Sequence, residues 1–160
     1  MRIVRADNKD LPEIVGLSLQ LWPENDRHEM AQEFRELLQR EDAAFFLALD
    51  EKAVGFAQCQ LRQDYVEGTQ SSPVGYLEGI FVKEGWRNRG YARAMLAACQ
   101  DWAKKQGCTE FASDCELTNS ASLAFHLRMG FLEANRIICF TKKLYKYCQA
   151  GVRPGRFCFV

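Results

Sequence analysis

Two carboxylates stand where the sequence otherwise reads as buried strand. Glu78 interrupts Tyr-Leu-Glu-Gly-Ile-Phe-Val, and Asp114 closes Phe-Ala-Ser-Asp. In such a setting an acid is either satisfied structurally or kept for a cation or a proton, because an unpaired buried charge is costly. Downstream of Glu78, residues 87–92 read Arg-Asn-Arg-Gly-Tyr-Ala. A basic, glycine-containing loop that opens a helix is a natural anion site, since the first turn of a helix has unpaired N–H donors and the positive end of its dipole. Arg87 and Arg89 add charge suited to a diphosphate, and Gly90 lets backbone and ligand come close. Neither G-x-x-x-x-G-K-S/T nor G-x-G-x-x-G occurs, so the P-loop and the dinucleotide fingerprint lack their residues.

The elements that must position these groups can be read from periodicity. Val74–Val82 is β-branched and aromatic and reads as a central strand. Lys83–Gly90 is the loop, and Tyr91–Gln106 is a helix with Ala92, Met95, Leu96, Cys99, Trp102 and Ala103 on one face. Before this unit, Arg2–Arg5 reads as a strand, Leu11–Leu21 and His28–Arg40 as helices, and Ala44–Leu49 and Ala53–Leu61 as antiparallel strands. The polar connection Gln63–Pro73 is too long for a tight hairpin, and long loops in compact domains tend to be functional. After the unit come a strand over Thr109–Asp114, a helix over Asn119–Met129 that stops at Gly130, and a last strand over Arg136–Leu144. The expected order, β-α-α-β-β-β-α-β-α-β, is α/β with a mixed sheet.

A chain of 160 residues with 48% hydrophobic and 26% charged residues is expected to form one soluble globular domain. Lys+Arg and Asp+Glu balance at 21 each, so no overall field draws the protein to nucleic acid or to an anionic membrane. No apolar run approaches the length of a membrane span, and the N-terminus has no signal-peptide core. The seven cysteines are odd in number and lack C-x-x-C spacing; most fall in apolar patterns, as reduced cysteines do. No metal site is expected. A cytoplasmic enzyme fits better than a disulfide scaffold.

Arg87–Ala92 also matches R/Q-x-x-G-x-G/A, the pyrophosphate-binding signature of the GNAT superfamily of acetyl-CoA-dependent N-acetyltransferases. The preceding strand, the following helix and the later Asn119…Gly130-Phe131 segment come in that superfamily's order, so the chain resembles it from about Arg2 to Leu144. The resemblance implies a GNAT-like mixed, mostly antiparallel sheet flanked by helices, a domain over residues 1–144, and acetyl-CoA as co-substrate. The tail, residues 145–160, lies beyond the resemblance. Acyl transfer to an amine asks for removal of the amine proton, donors for the oxyanion and a proton for the departing thiolate.

Leu21-Trp22-Pro23, Asp64-Tyr65-Val66-Glu67-Gly68, Ser72-Pro73-Val74, Leu77–Val82 and Phe111–Asp114 are further similar to segments of the aminoglycoside 6′-N-acetyltransferases. In that group the residues matching Trp22, Tyr65, Glu78 and Asp114 line the drug site. Those matching Ile80, Phe81, Val82 and Asn119 meet the coenzyme, as do those matching Arg87, Asn88, Arg89, Gly90, Tyr91 and Ala92. A polycationic, hydroxylated drug suits carboxylates and flat aromatic faces. The sequence departs from the resemblance at two places. His126 stands where many GNAT enzymes have the tyrosine that protonates the thiolate, and Asn135 stands where related 6′ enzymes carry an acid. Enzymes of this kind are often homodimers. The resemblance implies acetylation of a 6′-amine; the alternatives are a GNAT acting on a polyamine or protein N-terminus, or a non-catalytic acetyl-CoA sensor.

Overall fold

The computed structural model describes residues 1–144; the tail from 145 to 160 lies outside the described residues. The sheet has five strands in sequence order: β1 (Arg2–Arg5), β2 (Ala43–Asp50), β3 (Lys52–Arg62), β4 (Val74–Val82) and β5 (Phe111–Ser113). The first four pair antiparallel, and β5 joins β4 in parallel. Helices α1 (Leu11–Leu21) and α2 (Arg27–Leu37) cover one face; α3 (Tyr91–Lys105) packs on the other, and α4 (Ser120–Arg128) follows β5. The expected mixed, mostly antiparallel α/β architecture is the one observed. No helix among the described residues is long and apolar enough to cross a membrane.

Covering both faces explains the strand composition. Along β2, Ala44, Phe46 and Ala48 point to the α3 side, while Ala43, Phe45 and Leu47 point to the α1–α2 side. A strand buried on both faces reads as a continuous apolar run rather than an alternation. The helix α3 buries Met95, Leu96, Cys99, Trp102 and Ala103, the stripe that its periodicity predicts.

Two irregularities of β4 shape the site. Gln58 of β3 pairs with Gly79 and Cys59 pairs with Leu77, so Glu78 is an extra residue in a β-bulge. Bulges kink a strand and re-aim its side chains. The second irregularity is on the other edge. Pairing of β4 with β5 covers only Gly75, Tyr76 and Leu77, after which the strands part. From Glu78 to Val82 that edge of β4 has no strand partner among the described residues.

The expected last strand, Arg136–Leu144, does not form. Residues 131–144 have no helix or strand, and Ile137, Ile138, Phe140 and Leu144 are exposed. The segment has the apolar composition of a strand but pairs with no edge among the described residues, and strand propensity without a ladder partner stabilises little. The strand expected over Thr109–Asp114 is correspondingly short.

Candidate active site

The bulge, the parting of β4 from β5 and the end of α1 converge on one face of the sheet. Glu78 is half-buried, and both its carboxylate oxygens accept hydrogen bonds from Arg62: Nη2 donates at 2.9 and 3.1 Å and Nε at 3.3 Å. The Arg62 guanidinium lies 3.3 Å above the centre of the Tyr76 ring. The Tyr76 hydroxyl in turn donates to Asp114 Oδ1 at 2.5 Å. Arg62, Glu78, Tyr76 and Asp114 therefore form one connected polar cluster. Burial, then the Asp114 carboxylate, raises the Tyr76 hydroxyl well above the ordinary tyrosine range, so the phenol stays protonated and keeps donating. Asp114 itself is exposed and follows the last residue paired with β4, as Glu78 does on its own strand.

Trp22 reaches the same place from the C-terminal cap of α1. Its indole lies directly over Gly79, where an added Cβ would come within 2.4 Å of Trp22 Cη2. Its ring also meets Phe56 edge-on at 6.0 Å. Only glycine at position 79 lets the indole sit against the bulge.

Tyr65 is placed differently. It is 80% exposed on the connection between β3 and β4, and its hydroxyl donates to Glu67 Oε2 at 2.9 Å. Glu67 Oε1 accepts from Asn135 Nδ2 at 3.2 Å, so Tyr65 and Asn135 share a second, outer cluster. Tyr65 and Arg62 both line an open cavity of about 420 Å³, with Arg40, Asp42 and Asp64 also on its wall. The base of this connection is pinned by Glu110, whose Oε2 accepts from the N–H groups of Gln70 (2.8 Å) and Ser71 (2.7 Å) and from the Ser71 hydroxyl (2.5 Å). Those donors, the Ser71 hydroxyl first, hold the Glu110 carboxyl below the usual carboxylate range.

Beyond β4 the chain makes a short 3-10 turn over Glu84–Trp86 and then the loop that starts α3. Asn88 and Gly90 both have left-handed backbone, with φ of 60° and 86°. Arg87 Nε donates to the Val82 carbonyl at 3.0 Å, and Trp86 Nε1 to Asp50 Oδ2 at 2.9 Å, so the loop is tied at its entrance. Tyr91 is buried in the α3 core. Between them the backbone is bare. The Arg87 N–H turns back to Glu84 and the Ala94 N–H to Gly90, but those of residues 88–93 have no protein acceptor among the described residues. α3 has no side-chain cap, and a Cβ added at Gly90 would meet nothing within 4 Å. Such a loop can receive a diphosphate on backbone donors, flanked by Arg87 and Arg89. The free edge of β4 at Ile80, Phe81 and Val82 leads from this loop to Glu78, which suits an extended arm that bonds to backbone.

Asn119 caps α4, its Oδ1 accepting from Ser122 N at 3.0 Å, and it makes no hydrogen bond to the 87–92 loop among the described residues. His126 lies on α4 with Nδ1 2.8 Å from the Ser122 carbonyl; a carbonyl only accepts, so Nδ1 carries a hydrogen. His126 Nε2 is 3.0 Å from Ser113 Oγ, which is also 3.1 Å from the Leu77 carbonyl. His126 thus reaches the point where β4 and β5 part through Ser113. Among the described residues no group of three or more His, Cys, Asp or Glu is placed to hold a metal ion.

Arg62, Tyr76, Gly79 and Ser113 were not among the residues singled out from sequence. Tyr76 was within reach, two positions before Glu78 on the same strand. Arg62 could have been sought as the counter-charge that a carboxylate in an apolar strand requires. Gly79 and Ser113 gave no signal, since their roles come from what packs on them.

The comparisons with known proteins agree with this geometry. Residues 11–131 match the Acetyltransferase (GNAT) family. The chain is 40% identical over 144 residues to an aminoglycoside N(6′)-acetyltransferase type 1 of Serratia marcescens, covering 89% of this chain and 99% of that one. It is 43% identical over 144 residues to the enzyme of the same name from Stenotrophomonas maltophilia, covering 89% of this chain and 93% of that one. Among solved structures, AAC(6′)-Iy in complex with the bisubstrate analogue CoA-S-monomethyl-acetylneamine superposes with a TM-score of 0.86 at 39% identity, over 89% of this chain and 98% of that one. The apo structure of the 6′-N-acetyltransferase AAC(6′)-IG from Acinetobacter haemolyticus gives a TM-score of 0.86 at 36% identity, over 90% of this chain and 99% of that one. With its signature loop at the head of α3 and its β4 parted from β5, the chain belongs to the GNAT family of acetyltransferases.

Proposed function

We propose that this chain, through residues 1–144, transfers the acetyl group of acetyl-CoA to the 6′-amine of aminoglycosides and so confers resistance to them. The observation that carries the reading is the inner cluster. Two acids, Glu78 and Asp114, stand where the sheet opens, and the Trp22 indole is seated on the same bulge. That is a site for an ammonium on a ring. The names of the relatives point the same way.

Acetyl-CoA supplies the thioester. The residues present fit it: the bare N–H groups of 88–93 and the flanking Arg87 and Arg89 take the diphosphate, and Ile80, Phe81 and Val82 offer backbone to the pantetheine arm. Asn119, at the head of α4, is a further coenzyme contact. Glu78 takes the ammonium's proton, directly or through water, with Arg62 fixing the direction of its carboxylate. The freed amine attacks the thioester carbon, the N–C bond forms and the C–S bond breaks, the amine's remaining extra proton leaves, and the thiolate takes one up. His126, relayed by Ser113, is the candidate donor for that last proton. Asp114 binds a second ammonium. Tyr65, with Asn135 behind it, walls the outer end of the cleft.

The enzyme acts as a homodimer in the cytoplasm. Support for the first lies in Ile137, Ile138, Phe140 and Leu144, apolar and exposed next in sequence to the domain. Support for the second is that acetyl-CoA is made there, and that Cys59, Cys99, Cys108, Cys115 and Cys139 are all free thiols. Coenzyme A release with a kanamycin-type drug, its 6′-hydroxyl analogue and spermidine tests the substrate. Turnover of the first alone is expected; faster turnover of spermidine, or acetylation of another ring's amine by mass spectrometry, overturns the reading.

A further inference from the structure

Gln58 is a polar residue that the fold does not use. It lies on β3 directly opposite Gly79, so Glu78, Gly79 and Gln58 share the bulge. Only 4% of its surface is exposed, yet its side-chain amide bonds to no group among the described residues. Among those residues, the side-chain polar atoms that are both sealed from solvent and unpartnered are Ser18 Oγ and Trp102 Nε1. The Gln58 amide is not one of them, so its polar end keeps a narrow opening. Its neighbours on this face are those of the candidate site. Phe56, two residues earlier on the same face, meets the Trp22 ring, and Trp22 covers Gly79. Glu78 does not serve the amide; its oxygens accept from Arg62 and not from Gln58.

An amide carries two donors and two acceptor lone pairs, and leaving them unmet in a buried place is a cost to folding unless a ligand meets them. We infer that Gln58 is a specificity-determining residue of the sugar site, its amide hydrogen-bonding the ring hydroxyl nearest the reacting amine. The inference rests on the function proposed above. Adjacent strands are about 4.8 Å apart. With the amine drawn to Glu78 and the ring on Trp22, a group one strand over faces the ring atoms next to the aminomethyl arm, which in a 6′-amino sugar carry the 4′-hydroxyl. Gln58 can donate to that oxygen and accept from its hydrogen together.

The test is steady-state kinetics of wild type and Gln58→Met on kanamycin and on a 4′-deoxy analogue that keeps the 3′-hydroxyl and the 6′-amine, with thermal melting of the free proteins. Wild type is expected to show a KM about fivefold lower for the hydroxylated drug, the size of one neutral hydrogen bond. Gln58→Met should raise KM for kanamycin by the same factor, leave the 4′-deoxy drug unchanged, leave kcat unchanged, and melt no lower than wild type. A lower melting temperature with equal losses on both drugs would make Gln58 structural and overturn the inference. So would a wild type indifferent to the hydroxyl, an outcome that needs no variant to fold. Failure of wild type to acetylate either drug would instead remove the proposed function, and this assignment with it.

Discussion

The two ends of β4 are built on opposite plans. At the Glu78 end the carboxylates are already partnered: Arg62 on Glu78, the Tyr76 hydroxyl on Asp114, and the guanidinium stacked on the phenol. At the Val82 end, the loop into α3 is fixed in shape but bare of partners, with the N–H groups of 88–93 unmatched among the described residues. The difference fits what each is proposed to do. A diphosphate brings its own acceptors, so its site needs only donors aimed inward, and backbone supplies them without side-chain entropy. An ammonium that must be bound and then deprotonated needs carboxylates held in one direction, and an unpaired carboxylate in an apolar strand would be costly until substrate arrived. Side chains should therefore dominate at one end and backbone conformation at the other.

The largest effect is expected from the side-chain end. Removing the proposed base by Glu78→Gln keeps size and a hydrogen bond to Arg62, but should lower kcat by roughly 100-fold or more, the usual worth of a positioned base, with little change in drug KM. A greater loss of kcat in Asp114→Asn than in Glu78→Gln would exchange the two acids' roles.

At the backbone end the contrast is between Gly90→Val and Arg87→Ala. Valine disfavours the φ of 86° at this position, and shifting the loop would misplace several N–H donors at once. Losing two charge-assisted hydrogen bonds costs about 3 kcal/mol, so acetyl-CoA affinity, read by calorimetry, should fall by about 100-fold. Arg87→Ala removes one exposed charge and should cost only about fivefold. Equal effects in folded proteins would mean that this end too works through side chains.

The same contrast explains how much the sequence disclosed. Backbone sites have short local signatures, because turn, glycine and helix start are consecutive: the turn over residues 87–90 and the helix start at Tyr91 were legible from their order alone. The sheet was legible for a related reason, since burial on both faces leaves runs such as Ala43–Leu49 almost wholly apolar. Side-chain clusters are assembled across the chain. Glu78 and Asp114 stood out as acids in apolar strands, but Arg62 is a partner through pairing register and a bulge, neither of which a single strand's composition encodes. Trp22 could be placed near the site only through the resemblance; its seat on Gly79 appears only once α1 is packed on the sheet. Residues 136–144 failed for a related reason, since whether a suitable sequence becomes a strand depends on the edge it finds.

A smaller effect should separate binding from shaping within the inner cluster. Asp114→Asn removes the ionic contact proposed for it in ground and transition states alike, so drug KM should rise about tenfold with kcat nearly unchanged. Tyr76→Phe should raise it less, because Asp114 keeps its charge and loses only its orientation. The tyrosine also predicts a pH signature. Its hydroxyl has a raised folded value, so its contribution to stability is complete below the unfolded value near pH ~10 and is lost as pH rises through the folded one. The stability difference between wild type and Tyr76→Phe should thus be flat through neutral pH and shrink only in strong alkali. A difference that shrinks near neutrality would mean that the Asp114 contact is not what holds Tyr76.

The smallest effect should be at His126, which belongs to neither end. Its ring is held on both sides, Nδ1 by the Ser122 carbonyl and Nε2 by Ser113, and it packs edge-on against Phe125 and Phe131. With both ring nitrogens engaged, the path from His126 to a thiolate is proposed to run through the Ser113 hydroxyl. That hydroxyl has one hydrogen for two neighbours, His126 Nε2 and the Leu77 carbonyl. Both contacts are hydrogen bonds at once only when Nε2 carries its own proton; the neutral ring leaves one of them without a hydrogen. The arrangement is a relay, but a solvent-exposed thiolate can also take its proton from water. His126→Phe is therefore expected to lower kcat less than tenfold, about 1.4 kcal/mol or less. Ser113→Ala, which cuts the relay and leaves the ring in place, should match it. If both variants fold and lose far more than tenfold, with the basic limb of the pH–kcat profile altered in each, His126 is the thiolate's acid. A large loss in His126→Phe alone, with Ser113→Ala near wild type, would instead trace the effect to packing against Phe125 and Phe131.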